Sequence, residues 1–317
     1  VRDYRANPEF QSAISDGKLL AANQEYDLAI ASYEEANEIA HGKDKGCLRA
    51  LIDLQIKNRN YDEAIDTAHA FKAIASTAAE KSYAEATRGR VLFLDAEPES
   101  GSHYDVKLLH DADTAFKAAL SLDPKNTFAL LLDGEVLVHL GQIEAARTQF
   151  KTCLTYITPD DPSYGRTRRF AADPALALQQ MAPAFTVTAL DGSRFNLDKM
   201  HGQVVLIDFW ATWCVPCLKE LPHLKQIAKD FAGQPLVILS ISWDEDGHAW
   251  NDFIAKNGMT WPQYHDADHH LGQLFEIEGL PSYFTIDSDG ALTSESLGGD
   301  SDIDANLRKL IARTKKF

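Results

Sequence analysis

The sequence predicts a two-domain protein, an all-α helical-repeat array followed by an α/β domain. Three observations predict it. Small residues recur in helical stretches at a spacing near 34 residues before residue 155. From Ala182 onward, short β-rich runs alternate with stretches of helical spacing. A chain of 317 residues with 45% hydrophobic content exceeds one ordinary core and suffices for two. The boundaries read as 1–156 for the array, 157–181 for a linker and 182–317 for the α/β domain.

In the first half, "YDLAIASYEEA", "YDEAIDTAHAFKA", "DADTAFKAALSLDP" and "GQIEAARTQFKTC" align on Ala29, Ala64, Ala112 and Ala146, at steps of 35, 48 and 34 residues. The long step contains the polar stretch Asp95 to Asp105, which reads as a longer loop inside the third unit. Four positions after each alanine stands Tyr33, Ala68, Phe116 or Phe150, on the same helix face. Such a face lets neighbouring helices approach closely. Asp123-Pro124 stops the third unit's helix, since Pro donates no backbone hydrogen bond. Three prolines, a Gly and an "RTRR" cluster mark residues 157–181 as a linker with at most a short helix, its arginines solvated.

The second half begins with "QVVLIDFWA", a β-rich run that ends at "WCVPC". Helical spacing follows to Gly233, then strand-like "PLVILSIS", helical "DGHAWNDFIAKNG", the segment "LPSYFTID", an "SDG" turn, "ALTSESLGG" and a terminal helix from about Asp302 to Arg313. Strands alternating with helices predict a central sheet.

A net charge of −16 argues against nucleic acid and anionic membrane surfaces as partners, which are held by clustered Lys and Arg. The longest apolar run contains Asp208 and is about half of what a bilayer requires, so no membrane span is expected. The chain starts at Val1, and a signal peptide or lipid anchor could have been removed before it.

Cys214 and Cys217, two residues apart, can be a redox pair, half a zinc site or two core residues. Zinc requires two further thiol or imidazole ligands, and there is no second cysteine pair. The loop His265 to His270 reads as solvated, so no metal is expected. Placed where a strand meets a helix, Cys214 lies just ahead of the helix N-terminus, whose unpaired N–H groups and dipole stabilise a thiolate. That is where a redox nucleophile is needed. Cys47 and Cys153 read as small buried hydrophobes.

Two resemblances refine this reading. Residues 9–156 resemble the tetratricopeptide repeat family as about four helix pairs, although its Trp near the start of each unit is missing. The resemblance implies a curved solenoid whose concave face recruits a protein partner; the plainer alternative is a spacer or dimerisation array. Residues 182–317 resemble the thioredoxin superfamily, in its TlpA/ResA-like redoxin branch, on "APAFTVTALDGSRFNLDKMHGQVVLIDFWATWCVPCLKELP" and "GLPSYFTIDSDG". It implies that Cys214 is the exposed attacking thiol and Cys217 the more buried resolving thiol of a redox-active disulfide. Pro281 matches the cis proline opposite the pair, with Leu280 before it offering backbone to a bound client. Trp213 borders the docking surface, and Pro222 kinks the active-site helix. Asp208 matches the buried acid that takes the proton of Cys217, where many members of the branch carry Asn. Glu220 matches an acid of that branch, or is an ordinary first-turn acid complementing the helix dipole.

The reading is a thiol–disulfide oxidoreductase that reduces or exchanges disulfides in client proteins, recharged by an upstream thiol donor, with no organic cofactor or metal. The resemblance suggests the bacterial periplasm or another extracytoplasmic site. One rival is a thiol peroxidase, whose pattern needs Pro at 207 and Thr at 211, where this chain has Ile207 and Ala211. Another is a non-catalytic scaffold with an inactive redox domain, disfavoured by the presence of both cysteines and Pro281.

Overall fold

The computed structural model describes residues 4–98, 103–200, 202–298 and 302–314, in two compact units, Val1–Ile157 and Thr158–Phe317. The first is all-helical: α1 (Pro8–Ala22), α2 (Tyr26–Ile39), α3 (Lys45–Lys57), α4 (Tyr61–Ile74), α5 (Ala78–Asp95), α6 (Val106–Leu122), α7 (Thr127–His139) and α8 (Ile143–Leu154). Each packs on its neighbours in sequence, as a repeat region does. The middle of the loop expected between Asp95 and Asp105 lies outside the described residues; its ends are the last residue of α5 and Asp105, whose carboxylate caps α6.

The aligned alanines are all buried, and each large residue four positions on faces a small one in the preceding helix. A Cβ added to Gly17 would lie 2.8 Å from the ring of Tyr33, on Gly89 2.8 Å from Phe116, and on Gly134 2.4 Å from Phe150. In the second pair the sizes are exchanged: Ala68 stands on α4 where the others carry a ring, and the corresponding α3 position holds buried Ile52. Between the helices of three pairs one residue turns left-handed, Gln24 (φ 63°), Arg59 (φ 60°) and Gly141 (φ 73°), each five positions before its aligned alanine. Only Gly141 does so without a Cβ cost. Phe150 is fully buried and cannot swing aside. Gly134→Ala is therefore expected to destabilise the helical unit by about 1–3 kcal/mol, despite Ala's better helix propensity, and Phe150→Leu to restore part of it in the double variant. Denaturant titration of the two single variants and the pair checks this.

The second unit starts earlier than the sequence suggests. Residues 158–181 hold α9 (Tyr164–Ala172) and a 3-10 turn (Pro174–Leu178), and group with the sheet-bearing part. The arginines expected to be solvated anchor this segment. Arg169, 6% exposed, pairs with buried Asp198 at 3.2 Å, and Arg166 donates to the Ala182 carbonyl at 2.5 Å. A Cβ on Gly165 would lie 2.4 Å from the Asp198 carbonyl oxygen, so α9 sits directly on that backbone. Only Arg168 of the cluster is exposed.

A hairpin of β1 (Thr186–Thr188) and β2 (Arg194–Asn196) precedes the main sheet. The rest runs β3 (Val204–Trp210), α10 (Val215–Asp230), β4 (Leu236–Ser242), α11 (Gly247–Asn257), β5 (Gln263–His265), α12 (His270–Leu274), β6 (Ser282–Ile286), β7 (Leu292–Leu297) and α13 (Ile303–Arg313). Strand order is β5-β4-β3-β6-β7, with β4 parallel to β3, β5 parallel to β4, and β6 antiparallel to β3. β3 is buried along its whole length, as a central strand covered on both faces must be. Leu206 and Trp210 join a core with α10, α11 and α13; Val205, Ile207 and Phe209 join one with the hairpin and α12. Alternation therefore turns Asp208 toward the α10 side. The second unit has a thioredoxin-like fold.

Candidate active site

The chain leaves central strand β3, turns through Ala211–Trp213 and enters α10, so the cysteines stand at the carboxyl end of the sheet. Cys214 is the N-cap of α10, and its Sγ accepts from the Cys217 amide at 3.2 Å. Pro216 falls in the first turn, where the missing N–H costs nothing, and Pro222 lies inside the helix. The two sulfurs are joined as a disulfide across Cα atoms 5.3 Å apart. Cys47 and Cys153 are buried thiols outside this disulfide, and burial, then the neighbouring carboxylate of Asp44, pushes the Cys47 thiol up to about 12.

Exposure does not separate the paired cysteines as the sequence reading expects: each is 5% exposed. Their surroundings do. Cys214 lies between Trp213 and Val215, both 62% exposed. Cys217 lines a cavity of about 10 Å³ with Asp208, Trp210 and Tyr283, room for one water. Asp208 is 3% exposed, and burial raises its carboxyl to about 7, against the pull of one hydrogen bond from Ser240 Oγ at 2.8 Å. Trp261 Nε1 donates to the same Ser240 oxygen at 2.8 Å, which leaves the hydroxyl proton directed to Asp208. Tyr283 stands opposite Asp208 in the β3–β6 register; burial, then the charges of Asp208 and Glu220, raise its phenol.

Leu280–Pro281 is a cis peptide at the start of β6. Pro281 O accepts from Gly298 N at 2.8 Å, whereas among the described residues neither backbone group of Leu280 is hydrogen-bonded. The Leu280 side chain packs on the core that contains both cysteines. Glu220, three residues beyond Cys217, faces His223 Nδ1 at 3.4 Å, and His223 Nε2 faces Asp304 of α13 at 3.1 Å. Burial lowers the His223 imidazole, but Asp304 and Glu220 together outweigh it, so it is raised.

The sequence reading missed Asp244, which is 4% exposed at the end of β4. Its carboxylate accepts from Thr212 N at 3.0 Å, Thr212 Oγ1 at 2.5 Å and Ser242 Oγ at 2.7 Å, stapling the loop that presents Trp213 and Cys214. The signal available was an "S-W-D" segment at the carboxyl end of a strand, where sites in α/β sheets gather. Two of the three histidines of the His265–His270 loop are engaged elsewhere: His265 stacks on Trp250 and faces the Asp244 carbonyl, and His269 stacks on Trp243.

A thiol pair at a helix N-terminus, a buried carboxyl behind it and a cis proline leading into the neighbouring strand β6 define a thioredoxin-like redox domain. Residues 178–294 match the AhpC/TSA family. Thiol-disulfide oxidoreductase ResA of Bacillus thuringiensis (strain Al Hakam) is 30% identical over 129 residues, 41% of this chain and 75% of that protein. ResA of Bacillus subtilis (strain 168) is 29% identical over 129 residues, 41% of this chain and 72% of the relative. A solved thiol:disulfide interchange protein of the thioredoxin family from Chlorobium tepidum TLS is 26% identical, with a TM-score of 0.39, covering 42% of this chain and 97% of that one. Through its C-terminal unit the chain belongs to the ResA-like thiol-disulfide oxidoreductases, redoxins of thioredoxin fold.

Proposed function

We propose that Cys214 and Cys217 are the working pair of this oxidoreductase and that it reduces or exchanges disulfides in client proteins. The observation that carries the reading is the Cys214 sulfur at the N-cap of α10, hydrogen-bonded by a first-turn amide. That amide and the helix dipole favour a thiolate there once the pair is reduced. The Cys214 thiolate attacks one sulfur of a client disulfide, and the other client sulfur leaves as a thiolate. Cys217 then gives its proton to Asp208, directly or through one water, and attacks Cys214. The second client sulfur departs, the Cys214–Cys217 disulfide forms, and two electrons have passed to the client. An upstream dithiol donor restores the pair, and neither organic cofactor nor metal takes part. Trp213, Leu280 and Pro281 form the docking surface, with the Leu280 backbone free to pair with an extended client segment.

Glu220, held by His223, whose other ring nitrogen faces Asp304, supplies negative charge near the pair. The helical unit, read as a tetratricopeptide-type array, recruits a protein partner and raises the local concentration of one client. Comparing clients captured with and without residues 1–157 tests that part. We place the reaction outside the cytoplasm of a bacterium, where client disulfides persist. Reduction of insulin disulfides with a dithiol donor tests the reading as a whole: the protein accelerates it, and Cys214→Ser loses at least about a thousandfold of the acceleration. Unchanged activity in that variant would place the chemistry elsewhere.

A further inference from the structure

The second unit carries a groove of about 440 Å³ on the face of the sheet opposite Asp208. Its floor is apolar, with buried Phe275 and Phe284 and half-buried Met181 and Leu292. Its rim holds three exposed carboxylates, Glu276, Glu278 and Glu295, and among the described residues no Lys, Arg or His lines it. Among the described residues none of the three is ion-paired. The groove is continuous with the client-docking strand. Ser282, which follows Pro281, lines it; Leu297, 66% exposed, lies beside Gly279, and the next residue, Gly298, donates to the Pro281 carbonyl.

An apolar floor with an acidic rim fits one kind of side chain. Lys and Arg bury their methylene stems on apolar surface and keep the cationic head outside. A purely apolar side chain would leave the carboxylates unused, and an acidic one would be repelled. We infer that this groove receives a Lys or Arg of the client polypeptide, a few residues along the chain from the cysteine that docks at Leu280. The inference rests on the thiol–disulfide reading of Cys214 and Cys217 and adds a substrate class to it: disulfides flanked by basic residues.

The test uses the full chain, with dithiothreitol as the dithiol donor, and short peptides with one internal disulfide that differ only in carrying Lys, Gln or Glu beside it. Each turnover converts the peptide disulfide to a dithiol and the reduced pair to a disulfide, which dithiothreitol reduces again. One exposed ion pair changes binding by a factor of roughly 1.5–5. At low salt kcat/KM is expected to favour the Lys peptide over the Gln peptide by about fivefold and to disfavour the Glu peptide. The preference should collapse at high salt, and in the variant Glu276→Gln/Glu278→Gln/Glu295→Gln. A control with the same charge change on the helical unit, Glu34→Gln/Glu35→Gln/Glu63→Gln, should keep it. If the triple variant does not fold, Glu295→Gln alone, on the open face of β7, is expected to lose part of the preference. No Lys preference in the native protein, or a preference that survives the groove substitutions, overturns the inference. Reduction of none of the peptides overturns the thiol–disulfide reading itself.

Discussion

Replacing Asp208 by Asn is expected to slow release of the reduced client roughly a hundredfold while leaving the first attack by Cys214 close to the native rate. Asp208 and Cys217 line the same one-water cavity, and a carboxyl near 7 is ionised in a useful fraction of molecules at neutral pH. Asn keeps the shape and can still accept from Ser240, but it takes no proton. Stopped-flow measurement of mixed-disulfide formation and decay separates the steps; equal slowing of both would make Asp208 structural. In the native protein the decay step should quicken as pH rises through about 7, because the base must be unprotonated.

The same substitution is expected to stabilise the protein, more at pH 8 than at pH 5. Burial holds Asp208 near 7, against about 3.9 in the unfolded chain. Between those values the folded state keeps a proton that the unfolded state has released, so stability falls as pH rises, by roughly 1.4 kcal/mol per unit. Below about pH 4 the carboxyl imposes no such cost; above about pH 7 the cost is complete. Thermal melts of the oxidised protein at the two pH values check it, and an equal gain at both would contradict it.

The second large effect falls on Asp244. Asp244→Ala leaves the Thr212 amide and the hydroxyls of Thr212 and Ser242 without their acceptor, a loss of about 3 kcal/mol for groups this shielded. The loop carrying Trp213 and Cys214 then loosens, and insulin reduction is expected to fall about tenfold. Asp244→Asn retains an acceptor oxygen and should recover most of both. If Ala at 244 changes neither the denaturation midpoint nor the rate, the staple has no part in positioning the pair.

These residues differ in how far the sequence alone reveals them. Asp208 is legible because an acid inside "VVLIDFW" has no other reason to be there. Cys214 is legible because a strand-to-helix boundary falls on it. Tyr283, Ser240 and Asp244 are not, since they approach the pair only when β4 and β6 flank β3, and strand order is not written in spacing. His223 joins Glu220 by helical spacing but acquires Asp304 from a helix 81 residues away. In the helical unit the aligned alanines and rings are visible, whereas Gly17, Gly89 and Gly134 emerge as their partners only when the rings are seen against them. The arginines of residues 166–169 mislead, because charge in a proline-rich stretch usually marks a solvated surface and here two of them bind backbone or a buried Asp198.

The most direct measurement concerns which sulfur meets the client. Cys217→Ser removes the resolving thiol, so the intermediate between Cys214 and a client cysteine should accumulate. Reduced variant is mixed with a disulfide peptide, quenched with acid and mapped by peptide mass spectrometry. The expected result is one adduct, on Cys214, with Cys47 and Cys153 unmodified, and rapid disulfide closure without accumulation when Cys217 is present. No adduct on Cys214, or an adduct on another cysteine in its place, would contradict the assignment of Cys214 as the attacking thiol.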